Sequence, residues 1–186
     1  MDKVKWHATP LAGLYEILHT PTSDARGRFT RLFCEQELTA IHPDLHFSQI
    51  NLSENRGRGI VRGLHYQTPP ASEAKLIRCL RGRVFDVAVD LRAGSRTFLK
   101  WHAMELAEDN DRAFFIPEGF AHGFQVLSDE ADLLYMHTAP WTPECEAGIL
   151  HDDPRLSIAW PLPVIGLSAR DLSYAPIDAD FTGVSP

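Results

Sequence analysis

Polar and apolar residues alternate with a period of two along much of this chain. In "VFDVAVDL", Val84 to Leu91, the residues Phe85, Val87, Val89 and Leu91 share one face and Asp86, Ala88 and Asp90 the other, as a strand with two distinct faces requires. "FSQINLS" sets Gln49, Asn51 and Ser53 against Ile50 and Leu52, and "DLLYMHT" brings Leu133, Tyr135 and His137 onto one face. Turn chemistry in "ENRGRG", "LRGRV", "RAGS", "IPEGF" and "LSDEAD" separates these runs, so many short strands are predicted. One short helix is predicted over "EQELTAI", residues 35–41, stopped by Pro43. The pattern predicts an all-β fold, a sandwich or closed barrel and not βαβ units. A jelly roll with a few short helices is the first choice. The chain lacks internal repeats and linkers, and its 186 residues suit a single domain over 1–186. From about residue 173 the stretch "SYAPIDADFTGVSP" has no periodicity and is expected to run irregularly over the surface.

Composition narrows the partners. The net charge is −7, which argues against nucleic acid, whose binding depends on neutralising phosphates. The charge is uneven: residues 26–83 hold nine arginines and Lys75 against five acids. Arginine's planar fork suits phosphate recognition, although most of these side chains read equally well as solvated strand-face charges. No apolar run approaches the roughly 20 residues of a membrane span, and the opening residues lack a signal-peptide layout. Cys34, Cys79 and Cys145 are odd in number and widely spaced. Reduced thiols in a cytoplasmic protein, away from membranes, are the expectation.

The sharpest chemical question lies in "RGIVRGLHYQTPP", residues 58–70, where His65 stands between Arg62 and Gln67. Metal-binding jelly rolls of the cupin type carry Gly, five residues, His-x-His and then Glu, followed later by Pro-x-Gly-x-x-His. Gly59 and His65 fit the first part, but Gln67 occupies the second histidine's place and Glu73 comes late; "PEGFAH" supplies His122. Two imidazoles fall short of the three protein ligands that a catalytic metal usually keeps. Either histidine alone also reads as a core imidazole satisfied by a backbone carbonyl. Proton transfer is the other chemistry open to His65, since imidazole titrates near neutrality. Removing a proton from carbon needs a cation to hold the charge that forms, and Lys75 opens the apolar run "KLIRCL". Tyr135, on an alternating strand, offers a donor from another face, or is simply a core tyrosine.

"DARGRF" (24–29), "QIN" (49–51), "RGLHYQ" (62–67), "AKLIRCLRGRVFDVAVDLR" (74–92), "IPEGFAHGFQVLSD" (116–129) and "HDDPRLSIAWP" (151–161) together resemble the dTDP-4-dehydrorhamnose 3,5-epimerase family, in order and spacing, from about Pro10 to Asp171. The resemblance implies a cupin-like jelly-roll enzyme that needs neither metal nor other cofactor. Such an enzyme is usually a homodimer acting on a thymidine-diphosphate 4-keto-6-deoxy sugar. It implies that His65 is the base, oriented by Asp171, that Lys75 holds the C4 oxygen as an enolate forms, and that Tyr135 returns a proton from the opposite face. His122 resembles the family's second active-site histidine. Arg26, Phe29, Gln49, Asn51 and Arg62 match positions that hold the nucleotide and pyrophosphate, some reaching in from the partner subunit. Glu146 and Arg170 match further substrate contacts, and Trp141, where the family often has tyrosine, offers a ring for stacking on a base. Strict alternation would set Arg62 and His65 on opposite faces unless Gly63 forms a bulge. A single-centre epimerase, a sugar-nucleotide ketoisomerase, a metal-dependent cupin enzyme and a non-catalytic sugar-nucleotide binder are the competing readings.

Overall fold

The computed structural model describes residues 3–39 and 42–186. β1 (Val4–Ala8) and β2 (Tyr15–His19) form a hairpin, and β3 (Thr22–Asp24) with β4 (Gly27–Phe29) forms a second, separate one. After α1 (Glu35–Thr39) come β5 (Gln49–Arg56), β6 (Val61–Gln67), β7 (Lys75–Asp90), β8 (Trp101–Ala107), β9 (Arg112–Ile116), β10 (Phe120–His137) and β11 (Glu146–Gly148). The predicted helix over 35–41 is present as Glu35–Thr39, and its last two positions lie outside the described residues.

The spine of the molecule is the antiparallel pair β7 and β10, in register from Lys75 opposite His137 to Asp90 opposite Phe120. At one end β7 pairs β9, which continues to β2 and β1, while β10 pairs β5. At the other end β7 pairs β8, and β10 pairs β6, which carries β11. Two long strands thus run from one sheet into the other and close an all-β, cupin-like jelly roll. The predicted turns "LRGRV" and "LSDEAD" are therefore bends inside β7 and β10. The ladder shifts register between Val126 and Ala131, and Gly82 has φ +70° with its missing Cβ directed at the Glu130 carbonyl. Glycine is needed there because the bent strands approach too closely for a side chain.

Alternation along β7 also has a meaning that period two by itself does not fix. Its apolar face, Val87, Val89 and Leu91, points outward and packs under Leu64, Ile149, Leu156 and Ile158. Ile177, Phe181 and Val184 of the irregular closing stretch join that cover, and the Val184 N–H donates to the Leu91 carbonyl at 2.7 Å. The opposite face turns into the barrel, where Val84 and Ala88 meet Leu14, Ile77, Phe114, Phe124 and Leu133. Asp86 and Asp90 on this inner face are fully buried. A third apolar cluster lies outside the first sheet, where Leu38 of α1 covers Ile17, Leu76, Phe115 and Met136. Among the described residues no helix is long and apolar enough to cross a membrane.

Candidate active site

The inner faces of β5, β6, β7 and β10 meet around a cavity of about 490 Å³. His65 reaches it because the β6 ladder slips: His65 lies opposite His122, but Arg62 lies opposite Phe124, so two residues of β6 face Gly123 alone. Gly63 takes φ +101°, and a Cβ on it would stand 2.5 Å from the His122 carbonyl. This irregularity turns both Arg62 and His65 into the cavity, the effect a bulge has on strand alternation.

His65 Nε2 meets Asp171 Oδ1 at 2.6 Å. Asp171 opens a 3₁₀ turn, Asp171–Ser173, and its backbone N–H donates to Ser168 Oγ at 3.0 Å. Burial would push the Asp171 carboxyl up, yet the hydrogen bond and charge of His65, with Ser168 and the Gly63 N–H, hold it below the ordinary carboxylate value. An anion in this place favours the ring proton on Nε2 and leaves Nδ1 as the acceptor.

Lys75 sits at the first position of β7 and is buried. Its Nζ donates to the His65 carbonyl at 3.3 Å and pairs with Glu73 Oε1 at 3.2 Å. Glu73 Oε2 accepts from His137 Nδ1 at 2.7 Å. The Tyr135 ring lies between two imidazoles, edge-on to His122 at 5.7 Å and stacked on His137 at 5.8 Å. Burial, with the nearby Asp86 carboxylate, raises the Tyr135 phenol well above its ordinary value, so it stays protonated at neutral pH. His122 Nε2 meets Asp86 Oδ1 at 2.8 Å. Burial drives both away from their charged forms, raising the Asp86 carboxyl and lowering His122.

At the rim, the Trp141 N–H donates to Gln49 Oε1 at 3.0 Å, and Glu146 Oε2 accepts from Trp141 Nε1 at 3.0 Å and Arg170 Nη1 at 2.7 Å. Gln67 is a buried clamp: its amide donates to the Ala71 and Pro140 carbonyls and accepts from the Thr142 N–H at 2.6 Å. The side chain that replaces a cupin histidine therefore ties the Trp141 loop to the barrel. The two histidines that a metal site would join are each engaged by their own carboxylate. A carboxylate-held imidazole, an ammonium and a protonated phenol around one cavity can move protons at carbon beside a carbonyl.

Residues 8–179 match the sequence profile of the dTDP-4-dehydrorhamnose 3,5-epimerase family. The chain belongs to that family. It is 47% identical over 159 residues to the dTDP-4-dehydrorhamnose 3,5-epimerase of Pseudomonas aeruginosa, covering 83% of this chain and 86% of that one. It is 40% identical over 162 residues to the dTDP-4-dehydrorhamnose 3-epimerase of Streptomyces niveus, covering 87% and 78%. Among solved structures, the dTDP-6-deoxy-D-glucose-3,5-epimerase of Legionella pneumophila, in complex with dTDP-4-keto-L-rhamnose, superimposes with a TM-score of 0.91 at 38% identity, covering 98% of this chain and 99% of that one.

In this member of the dTDP-4-dehydrorhamnose 3,5-epimerase family, ten of the thirteen side chains singled out in the sequence line the same cavity: His65, Lys75, Tyr135, Gln49, Asn51, Arg62, His122, Trp141, Glu146 and Arg170. Asp171 stands behind His65. Arg26 and Phe29 are not brought to the cavity of their own chain: they lie on the β3–β4 hairpin, Phe29 is 77% exposed, and Arg26 pairs with Asp24. Sequence reasoning noted Glu73, His137 and Asp86 but gave them no role in the site. The signals were present: Glu73 lies two positions before Lys75, His137 two after Tyr135, and Asp86 interrupts an apolar strand. Alternation predicts a shared face in each case, but a face becomes a site only when a second strand supplies the partner.

Proposed function

We propose that this chain inverts C3 and C5 of dTDP-4-keto-6-deoxyglucose, giving dTDP-4-dehydro-L-rhamnose, without metal or other cofactor. The C4 ketone acidifies the hydrogens on its neighbouring carbons. His65 Nδ1 takes one of them, and the electron pair passes to the C4 oxygen as an enolate. The Lys75 ammonium holds that charge. Tyr135 then gives its proton to the opposite face of the carbon, and exchange with water resets imidazolium and phenolate before the second carbon reacts. Asp171 stabilises the imidazolium and keeps its orientation. Arg62 and Arg170 bind the diphosphate bidentately, Gln49 and Asn51 hold the nucleotide, and Trp141 stacks on its base. Glu146 orients Trp141 and Arg170, and His122 contacts the sugar.

The observation that carries this reading is the 2.6 Å His65–Asp171 pair opening onto the same cavity as Lys75 and Tyr135. Homodimerisation belongs to it. Phe29, Ile50 and Leu52 form exposed apolar surface at 77%, 61% and 58%, and a partner hairpin would bring Arg26 and Phe29 to the neighbouring cavity. Three free cysteines suit the cytoplasm.

Incubation with dTDP-4-keto-6-deoxyglucose in heavy water tests the reaction directly. Deuterium is expected at both C3 and C5 of the recovered sugar. His65→Ala and Tyr135→Phe are expected to lose turnover by about 100-fold or more while still binding dTDP. Exchange at C3 alone would favour the single-centre reaction named for the Streptomyces niveus relative. No exchange with any nucleotide-linked keto sugar would refute the proposal.

A further inference from the structure

We infer that Glu73 is a positioning residue of this site, one buried carboxylate that holds the Lys75 ammonium with one oxygen and, through His137, the ring of Tyr135 with the other. The inference rests on the proposed reaction for what the ammonium and the phenol do.

Glu73 and Lys75 side chains are both 8% exposed and meet at 3.2 Å. Burying an ammonium this far is costly unless an anion accompanies it, and holding an enolate needs the ammonium. Glu73 is the carboxylate paired with it. The other charged or titratable groups around Lys75 are His65 on β6, Asp86 on β7, and His122, Tyr135 and His137 on β10; β9 presents Ile116 opposite it. Asp86 is already engaged by His122 at 2.8 Å. Burial alone would raise the Glu73 carboxyl, but the His137 hydrogen bond and the Lys75 charge hold it below the ordinary value, so it is ionised at neutral pH.

His137 completes the arrangement. Its Nδ1 donates to Glu73 at 2.7 Å, and its Nε2 lies 3.4 Å from Asn51 Nδ2, an amide donor. The two contacts together fit the tautomer with the proton on Nδ1. That ring stacks on Tyr135 with an angle of 12° between planes, which fixes the plane in which the phenol swings. Glu73 thus ties the group that takes charge to the group that returns a proton.

The test uses the full chain. Imidazole ¹⁵N–¹H spectra of the substrate-free wild type should show His137 as the Nδ1–H tautomer; the Nε2–H tautomer or a cationic ring near pH 7.5 would overturn the inference without any variant or substrate. Glu73→Gln should lower kcat by about tenfold or more, the scale of misplaced reacting groups, with KM little changed and the alkaline limb of kcat moved to lower pH. Glu73→Asp should restore the limb, and His137→Phe should slow turnover without moving it. Folded Glu73→Gln with wild-type kcat and an unmoved limb would overturn the inference. Absence of deuterium exchange by the wild type would count against the proposed reaction only, since the spectra involve no substrate.

Discussion

At the scale of single residues, buried carboxylates set the chemistry. Asp171, Asp86 and Glu73 each face an imidazole, but the balance against burial differs: their partners hold Asp171 and Glu73 below the ordinary carboxylate value, while burial wins at Asp86 and raises it. Asp90 is a purely structural counterpart. Burial would raise it, but Arg92 at 2.8 Å and the hydroxyls of Ser95 and Thr97 at 2.6 Å each bring it from 3.8 to about 2. A carboxyl depressed by folding stabilises the native state above its unfolded value and loses that contribution as pH falls through its folded value. Asp90 therefore contributes about 2 kcal/mol at neutral pH, fully present above about pH 4 and lost toward about pH 2. Asp90→Asn should cost that amount in denaturant unfolding at pH 7, and the gap between variant and wild type should narrow as the pH is lowered from 4 to 2. A gap independent of pH would mean that the ionised form of Asp90 adds nothing.

At the scale of elements, the slip in β6 decides what the cavity contains. Alternation alone sends Arg62 and His65 to opposite faces, and the register shift at Gly63 returns them to one. Gly63→Ala must place a methyl group 2.5 Å from the His122 carbonyl at φ +101°. We expect a loss of about 2 kcal/mol or more in stability and a fall in kcat, because both neighbouring side chains are re-aimed. An active, undisturbed Gly63→Ala enzyme would show that the bulge does not position them. The bends in β7 and β10 work at the same scale. Glycine and polar residues in "LRGRV" and "LSDEAD" read as turns because the local chemistry of a turn and of a bent strand is the same; pairing along both strands distinguishes them.

For the whole molecule, the feature to explain is the exposed apolar surface beside the cavity. Arg26 and Phe29 extend on an exposed hairpin, while Ile50 and Leu52 lie on the solvent side of β5, whose inner face carries Gln49 and Asn51. If a second copy covers this apolar surface, Ile50→Glu combined with Leu52→Glu should halve the mass found by sedimentation and weaken dTDP binding, with secondary structure retained. A wild type that sediments as one chain would remove the dimer and leave Arg26 and Phe29 without a role in the site.

Period-two alternation and turn chemistry pointed to an all-β jelly roll, and the family resemblance carried by the quoted motifs implied ten of the residues around its cavity. They could do so because strand faces and motif spacing are local properties of the chain. Only the tertiary structure decided which face of β7 is the interior, that the buried polar face belongs to the barrel, and that the closing stretch helps to cover the apolar one. It alone paired Glu73 with His137 and Asp86 with His122 across 64 and 36 residues of sequence. Contacts between distant strands depend on register, and a register is set by the packing of the whole sheet.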